Sequence, residues 1–559
     1  MRHLDLVDRL SAVLVAVALI AGMGLRVARL DRVPLGFDQD EACNGYDAYS
    51  ILNTGRDHHG NFLPLALQGF DDYRMPLFDY SLVPLVGVLG LKPAVVRLNA
   101  ALWGSLDLVT ITTIAGLMLG WPGAAVAAVL AAVSPWHLVL SRYGIETTAA
   151  SATVSLGLAC FLAWLRFSSE RWVLLSGAFL GLSLYAYPIT KVFTPLMIVL
   201  LTLLYWREIR QAAAKAFMGL GIFLLFAVPQ AAQIWLHPAQ MQQRFGDLSI
   251  FNKSGSLAAR FAAFAANFAS YFTPSYLFFT GDRGSHWALL HPPGFGELLP
   301  EQAPLIALAL IALLSERHRK AAMLLVGWLV AAALPAALTL PLGILQLEPQ
   351  EIPTPWIQML NRAAPQRITP QLLLWHPDSR HDVLAMAPWI LLSALGFVFL
   401  LEAIPRAAAW KALLGVLLLG GTIFHGVSFL RSYTGSYPIL AAPYFQYGIE
   451  QALQATEKLD DQKPVIITDR INQPYIYVLF FRRYPPQRIQ QEWHADRLRP
   501  NHLSPTVSFD HYLFMDPARL YPRLAHGIFV FSGVEALPAP AQVSILYPHG
   551  TVAYNIVVK

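Results

Sequence analysis

Charged residues and cysteine are scarce in this chain of 559 residues. Asp, Glu, Lys and Arg together make up 13% of the sequence, whereas hydrophobic residues make up 55%. Soluble domains carry about 25% charged residues, so the composition excludes an ordinary soluble domain and indicates that the bilayer is the solvent. Two cysteines, Cys43 and Cys160, exclude a framework of several disulfides.

The net charge of +5 is small, and the basic residues gather in short loops between apolar runs. The clearest of these loops are residues 206–215, 315–320 and 405–411. Such loops are typical of the cytoplasmic side of a membrane protein and not of a nucleic-acid-binding surface. The N-terminal apolar run lacks a small-x-small cleavage site, so we expect a retained helix and not a cleaved signal peptide.

About eleven apolar runs approach the roughly 20 residues that a membrane span needs. They are residues 10–30, 98–119, 122–140, 147–166, 171–188, 192–206, 216–236, 303–315, 321–345, 383–404 and 410–430. Residues 76–95 are also apolar, and a span there would reverse the side of every later loop. Three prolines and Asp79 favour a juxtamembrane segment, while a full span stays open.

The segment after residue 430 differs from the rest because its apolar runs are short. Residues 463–469, 526–531 and 543–547 are predicted strands, and 444–459 has helical spacing. We therefore predict a transmembrane domain over 1–430, with juxtamembrane helices in its first outer loop at 31–95, and an extracytoplasmic α/β domain over 431–559. The last domain has neither a Walker loop nor a Gly-x-Gly-x-x-Gly motif, so nothing in it indicates a nucleotide site.

Two acidic clusters follow the first apolar run. The first contains Asp38, Asp40 and Glu41, and the second contains Asp71, Asp72 and Arg74. Carboxylates beside hydrocarbon are costly to place, which makes both clusters candidate functional sites. The alternative is a solvated loop that merely follows a helix.

A helix is predicted between the two clusters, ending at Gly55. One side of it collects apolar residues, so it can lie at the membrane surface with that side in the lipid and hold the preceding carboxylates at headgroup level. The residues on that side are Ala42, Tyr46, Tyr49, Ile51 and Leu52.

Further charged residues fall in the predicted outer segments, near the ends of apolar runs. One large polar cavity facing outward would use them together. They are Arg142, Glu146, Lys191, Asp282, Arg283, His286, His376, Asp378, Arg380 and His381.

Several motifs occur in an order that resembles one family. The elements are Asp40-Glu41 after the first span, Arg97-Leu98-Asn99-Ala100, Ser134-Pro135 followed by Ser141-Arg142 and Glu146, Gly181 to Tyr187 with Lys191, and Gly281 to His286. Over about the first 300 residues they resemble membrane glycosyltransferases of the GT-C fold, in the family of protein O-mannosyltransferases and the bacterial aminoarabinose transferase of lipid A. Glu146 stands where many members have Asp.

The resemblance implies a multi-pass enzyme of the cell (inner) membrane. Its expected activity is transfer of a sugar from a polyprenyl-phosphate donor to a hydroxyl or phosphate of an acceptor protein, lipid or glycan on the extracytoplasmic side, with inversion. No cofactor and no nucleic-acid partner are expected. The acidic pairs and the histidines His376 and His381 permit a divalent cation, but the family works without one, and a salt-bridge cluster is favoured at those histidines.

The chemistry requires a base for the acceptor hydroxyl, and by position in the motif this is Asp40. The alternative has Asp40 capping the helix and Asp38 as the base. Glu41 is expected to orient its neighbours. Asp71 and Asp72 organise the acceptor site or brace a juxtamembrane helix through Arg74.

Cations must neutralise the departing phosphate, and Arg142 and Lys191 are the first candidates, followed by Arg97. Arg142 and Lys191 could each instead be a snorkelling anchor. Tyr185 and Tyr187 contact sugar or lipid, or belong to an aromatic belt. A transporter or flippase of a lipid-linked sugar is the alternative function, although such proteins place charges near the midplane and show repeated halves, which this sequence does not.

Overall fold

The structure is a computed structural model that describes residues 6–70, 72–238, 249–252, 256–282, 289–339, 377–403, 408–459, 463–492, 494–496 and 506–559. Most of these residues are helical. Seven helices are long and apolar enough to cross a membrane: Val7–Val27, Pro93–Val133, Thr147–Phe167, Ala213–Leu236, Arg319–Ala337, Val383–Ala403 and Trp410–Thr434. The chain is therefore a multi-pass membrane protein.

The other predicted spans are also helical, but shorter. They correspond to Glu170–Ser183, Thr190–Leu204 and Gln302–Ile311, the last extended by the 3₁₀ turn Ala312–Leu314. The runs 98–119 and 122–140 fall mainly on Pro93–Val133, which is interrupted at Gly120. The number of membrane crossings stays a prediction.

The ambiguous segment 76–95 contains the helix Leu77–Leu89, of 13 residues. At a rise of about 1.5 Å per residue it is shorter than the hydrocarbon core of a bilayer, about 30 Å. Its length favours the juxtamembrane interpretation.

The remaining helices of the described residues are shorter than the seven candidate spans. They are Gln39–Thr54, Pro135–Leu140, Trp206–Gln211, Leu257–Ser270, Ser436–Ala441, Ile449–Leu459, Pro474–Phe481, Pro486–Glu492 and Pro517–Leu520, with single turns at Ile250–Asn252, Ser275–Thr280 and Val383–Ala385.

By the density of their contacts, the residues form two compact units. The first unit comprises Met1–Ala28, Ala101–Ser141 and Glu146–Ser432, and the second comprises Arg29–Ala100, Arg142–Ile145 and Tyr433–Lys559. The second unit thus combines the first outer loop with the C-terminal segment. The domain boundary after residue 430 stays a prediction.

The C-terminal segment carries the predicted α/β arrangement. Its strands are β3 (Val465–Ile467), β4 (His494–Asp496), β5 (Thr506–Phe509), β6 (Tyr512–Phe514), β7 (Ile528–Ser532), β8 (Val543–Leu546) and β9 (Val552–Val558), while β1 (Leu67–Gln68) and β2 (Tyr73–Arg74) form a small hairpin in the outer loop. The seven strands lie in the order β4-β5-β6-β3-β7-β9-β8, with β3 parallel to both neighbours.

The centre of this sheet is buried because its strands are almost wholly apolar. Ile466, Phe529, Phe531 and Val557 form a fully buried cluster. In register, Ile466 lies opposite Phe529, and Phe529 lies opposite Val557. Strands buried on both faces are typical of a sheet covered by helices.

Candidate active site

The first acidic cluster begins the loop helix Gln39–Thr54. Asp38 is its N-cap: one carboxylate oxygen accepts from the Asp40 backbone N–H at 2.9 Å. In return, the Asp38 backbone N–H donates to Glu41 Oε2 at 3.1 Å, which completes a capping box. The helix ends at Gly55, whose φ of 68° is a left-handed conformation that glycine adopts without steric cost.

Asp38 and Asp40 therefore have different environments. Asp38 is buried, and burial, followed by repulsion from Asp40 and Glu41, raises the pKa of its carboxyl well above the ordinary value. Asp40 is partly exposed, and within the described part of the chain no hydrogen bond to its carboxylate is found. The side-chain cap of this helix is therefore Asp38 and not Asp40.

Glu41 is held by Arg97. The Arg97 guanidinium donates from Nε and Nη2 to the two Glu41 oxygens, both at 2.8 Å. The Gly144 backbone N–H donates to Glu41 Oε1 at 2.9 Å. Both charged side chains are fully buried, so each compensates the other's loss of hydration.

The remaining N–H groups of Arg97 donate to backbone carbonyls of the outer loop. Nη1 contacts Leu30 O at 3.1 Å and Pro34 O at 2.8 Å, and Nη2 contacts Gly36 O at 2.9 Å. A guanidinium has five N–H donors. The three contacts with carbonyls and the two contacts with Glu41 together account for all five. In this structure Arg97 therefore ties Glu41 to the backbone of the loop, and its role towards a donor phosphate stays a prediction.

Arg142 lies in the same unit and is also buried. Its Nη2 donates to Val33 O at 3.2 Å and to Arg29 O at 3.4 Å, and its guanidinium carbon lies 5.8 Å from the centre of the Tyr433 ring. Both hydrogen bonds are long, and their acceptors are neutral carbonyls.

A second charged cluster lies further along the loop helix, and the sequence analysis did not identify it. Asp47 Oδ1 contacts His58 Nδ1 at 2.6 Å, and Asp47 Oδ2 accepts from Arg74 Nη2 at 2.5 Å. Burial is the largest influence on the pKa of Asp47 and raises it, but His58 and Arg74 together outweigh burial and lower that pKa to about 2. The signal in the sequence was the spacing of seven residues from Asp40, which places Asp47 two turns further along the helix.

Arg74 also approaches Asp79 of the helix Leu77–Leu89, with 3.7 Å between Nη1 and Oδ1. Arg74 therefore joins the loop helix to the juxtamembrane helix. The partners of Arg74 include Asp47 and Asp79. The expectation that Asp71 and Asp72 act through Arg74 stays a prediction. Asp72 lies in the turn before β2, where its carbonyl accepts from the Gly69 N–H at 2.8 Å.

Cys43, Asp47 and His58 are the described residues whose ligand atoms converge, within 4.8 Å of one another. The donor set does not favour a metal ion. Arg74 Nη2 lies 3.2 Å from Cys43 Sγ, so its guanidinium already provides the positive charge there. Burial also raises the pKa of the Cys43 thiol well above its ordinary value, which disfavours the thiolate that a metal would bind.

The loop helix packs against protein on the face that was predicted to lie in lipid. Ala42 and Tyr46 are fully buried, and the Tyr46 hydroxyl donates to Tyr484 O at 2.7 Å. Just before the helix, the Phe37 ring lies 4.7 Å from that of Phe480. The interfacial prediction is wrong for these two residues, because the C-terminal segment supplies the apolar surface that membrane was expected to supply.

The other predicted outer residues lie in the first unit. Asp282 accepts from the backbone N–H and the hydroxyl of Ser379, at 3.0 and 2.8 Å. Arg380 donates to both oxygens of Asp378, at 3.1 and 2.7 Å, as expected of a salt-bridge cluster. Burial is the largest single influence on the pKa of Asp378 and raises it, but attraction to Arg380 and His381 and the hydrogen bonds from Arg380 together outweigh burial and lower that pKa.

Tyr185, Tyr187, Lys191 and Glu146 also belong to the first unit. The Tyr185 hydroxyl donates to Phe226 O at 2.8 Å, which ties it to a neighbouring helix. Lys191 lies in the first turn of Thr190–Leu204 and is partly exposed. Glu146 precedes the helix Thr147–Phe167, and its side chain makes no cap hydrogen bond. Asp71, Arg283, His286 and His376 lie outside the described residues.

The first unit contains a buried charged network that the sequence analysis also missed. Arg26 Nη2 lies 2.8 Å from His137 Nδ1, and His137 Nε2 lies 3.4 Å from Asp107 Oδ2. The Ser151 hydroxyl donates to the same Asp107 oxygen at 2.6 Å. Ionisable groups inside a helical bundle are costly unless they are paired, which this network achieves.

Comparisons with known proteins find solved structures to which this chain is similar in fold. No protein-family model matches the sequence, and no curated protein matches it. ArnT from Cupriavidus metallidurans bound to undecaprenyl phosphate is similar with a TM-score of 0.56 and 13% identity, over 98% of this chain and 97% of that chain. The same protein in the apo state gives a TM-score of 0.53 and 14% identity, over 99% and 98%.

A third similar structure is the archaeal oligosaccharyltransferase AglB from Archaeoglobus fulgidus, in complex with an inhibitory peptide and a dolichol-phosphate. Its TM-score is 0.50 with 11% identity, over 84% of this chain and 63% of that chain. These neighbours have the GT-C fold, and this chain has it too. The fold that the sequence motifs indicated is confirmed.

Proposed function

We propose that this chain is an integral-membrane glycosyltransferase. It transfers a sugar from a polyprenyl-phosphate donor to a hydroxyl or phosphate of an acceptor on the extracytoplasmic side, with inversion at the sugar. The GT-C fold supports this proposal, as do two structural neighbours whose complexes contain undecaprenyl phosphate and dolichol-phosphate. The motifs of the first outer loop support it independently of the fold.

The observation that carries the proposal is the Asp40 carboxylate. It lies in the first turn of a helix whose N-terminus is fixed by the Asp38 cap, and the Glu41–Arg97 pair anchors the same turn. A base must be held in position and still reach its substrate. Asp40 meets both conditions because its neighbours carry the structural contacts.

In the proposed step, an Asp40 oxygen takes the proton of the acceptor hydroxyl. The oxygen of this hydroxyl attacks the anomeric carbon of the sugar at the same time. The bond from this carbon to the lipid phosphate breaks, and the phosphate leaves with the electron pair. A phosphate acceptor that is already ionised needs no base. Arg142 and Lys191 are the proposed cations for the departing phosphate.

Two conservative variants test the base. D40N should reduce transfer of radiolabelled sugar from a panel of polyprenyl-phosphate sugars by about 10²–10⁴-fold, with donor binding and protein level unchanged. D38N is the matched control. Asn caps helices about as well as Asp, so D38N should fold and keep most of its activity.

The pattern of loss decides between the candidates. If D40N keeps more than about a tenth of the activity while D38N loses it, the base is Asp38. A transporter of lipid-linked sugars predicts a different outcome: label crosses the membrane of sealed vesicles still attached to its lipid. Such movement without release of label from the lipid would contradict the glycosyltransferase assignment.

A further inference from the structure

The first unit contains a cavity that the proposed reaction does not use. Its volume is about 490 Å³, and it lies among the helices Thr147–Phe167, Glu170–Ser183, Thr190–Leu204 and Ala213–Leu236 together with the connector Trp206–Gln211. Pockets for small ligands commonly measure about 300–1,000 Å³. The cavity is therefore large enough to hold a substantial part of a ligand.

Glycines bring the helices together beside this cavity. A Cβ on Gly177 would lie 2.1 Å from Gly219 O, so the helices that carry these glycines pass in backbone contact. The Ser176 hydroxyl donates to Gly157 O at 2.8 Å and joins a third helix. Small residues and interhelical hydrogen bonds of this kind fix helix crossings in membranes. The cavity is thus bounded by a tightly packed crossing.

The lining of the cavity is almost entirely apolar. The residues that line it include Phe161, Trp164, Ile198, Leu201 and Phe217. A surface of this kind fits a hydrocarbon chain, whereas a sugar needs more hydrogen bonds than Ser176, Thr202 and Arg210 can provide.

One cation, Arg210, lies in the lining. It is exposed, and no hydrogen bond or ion pair is found for it among the described residues. Its neighbours are already engaged: Glu208 pairs with Lys320 at 2.6 Å, and Lys215 Nζ donates to Ser168 O at 3.1 Å. Arg210 can therefore accept an external anion without breaking an existing contact.

We propose that this cavity binds an anionic phospholipid, with an acyl chain inside it and the headgroup phosphate on Arg210. An apolar chamber with an unpaired guanidinium in its wall matches the two parts of such a lipid. The site is distinct from the proposed donor site. Lys191 lies at the start of Thr190–Leu204, whereas the cavity contacts this helix from Ile198 onward, which is about 10 Å further along the helix axis.

Lipid retention tests this site without any measurement of transfer. The purified full chain is titrated in detergent with phosphatidylglycerol or phosphatidylcholine, and bound lipid is counted by native mass spectrometry. We expect preferential retention of phosphatidylglycerol. R210Q should weaken that retention about tenfold or more, since a charge-assisted contact to phosphate is lost.

Two further variants sharpen the test. R207Q removes a neighbouring exposed cation that does not line the cavity, and it should bind phosphatidylglycerol like the wild type. A216F fills the cavity and should reduce retention of both phospholipids. Thermal unfolding of each variant establishes that it is folded.

Three outcomes would overturn the proposal. Unchanged retention of phosphatidylglycerol in R210Q would exclude a contact between Arg210 and the headgroup phosphate. Equal losses of retention in R210Q and R207Q would indicate diffuse attraction to basic loops. Displacement of phosphatidylglycerol by undecaprenyl phosphate at equal concentration would assign the cavity to the carrier lipid. None of these outcomes bears on Asp40, so the site and the proposed reaction stand or fall separately.

Discussion

Buried charges determine the geometry of the outer loop at the scale of single residues. Glu41 and Arg97 are both removed from water, and either one alone would be an uncompensated charge in the interior. Their bidentate contact and the carbonyl groups around Arg97 satisfy both groups. The pair thereby fixes the turn that carries Asp40 without occupying Asp40 itself.

This pair should behave as one stabilising unit. E41Q and R97Q should each destabilise the protein by about 3–5 kcal/mol because each leaves a buried charge unpaired. The double variant should lose much less than the sum of the two. Thermal unfolding in detergent measures the losses.

The exposed pair Asp31–Arg32 is the control for this prediction. Its side chains are 64% and 75% exposed, so R32Q should change stability by less than about 1 kcal/mol. Additive losses in the E41Q/R97Q double variant would show that the two residues act independently.

Asp47 gives a prediction about pH. Its pKa in the folded protein is about 2, below the ordinary carboxyl value of about 3.9. A lowered pKa means that the ionised form stabilises the fold above about pH 4, and this contribution is lost as pH falls towards about 2. The contribution is of the order of 2 kcal/mol.

The stability difference between wild type and D47N should therefore shrink between about pH 6 and pH 3. The measurement is the unfolding midpoint of both proteins at each pH. D31N, which changes an exposed carboxylate, should follow the wild type at both pH values. If the unfolding midpoint of D47N lies below that of the wild type by the same amount at every pH, Asp47 contributes through packing and neutral hydrogen bonds alone.

The loop helix Gln39–Thr54 is the central element of the second unit. It is capped by Asp38, closed by Gly55, and packed against both the juxtamembrane helix and the C-terminal segment. A short helix with a weak apolar face has little stability alone, so these caps and contacts are what keep it formed. The position of Asp40 depends on them.

Gly55 offers a direct test of the helix end. G55A should destabilise the protein by about 1–2 kcal/mol, because φ of 68° is strained for a residue with a Cβ. G24A is the matched control, since Gly24 is helical and its added Cβ would meet nothing within 4 Å. Unfolding midpoints should fall for G55A and not for G24A. Equal midpoints for wild type and G55A would contradict a left-handed cap at this position.

At the scale of the whole molecule, the side of the membrane on which Asp40 lies decides the kind of donor. The basic loops predict that Asp40 and the C-terminal segment lie outside the cytoplasm. A polyprenyl-phosphate donor follows from that orientation, whereas a cytoplasmic site would favour a nucleotide sugar.

Cysteine labelling tests this orientation. V534C should react with a membrane-impermeant thiol reagent added outside intact cells, and E316C should not. Both positions are exposed, Val534 by 85%, and the native Cys43 and Cys160, which are buried, are replaced by Ala in the background. Labelling after permeabilisation establishes that E316C is reactive. The reverse pattern would place Asp40 in the cytoplasm.

Hydropathy and local spacing determined the elements of this protein from sequence alone. The predicted apolar runs are helical where the structure describes them, and the predicted C-terminal strands and loop helix are present. The physical reason is that element length, apolar content and caps are properties of neighbouring residues. The order of the motifs likewise indicated the GT-C fold.

Only the tertiary structure decided which partner each of several similar charged residues contacts. The sequence grouped Arg97 with Arg142 as candidate cations for the phosphate. In the structure Arg97 forms an ion pair with Glu41, which lies 56 residues away in the chain. Tyr46 finds its acceptor 438 residues further along the chain, in a segment with no visible relation to the loop. Burial and partner choice depend on such distant residues, and no local pattern encodes them.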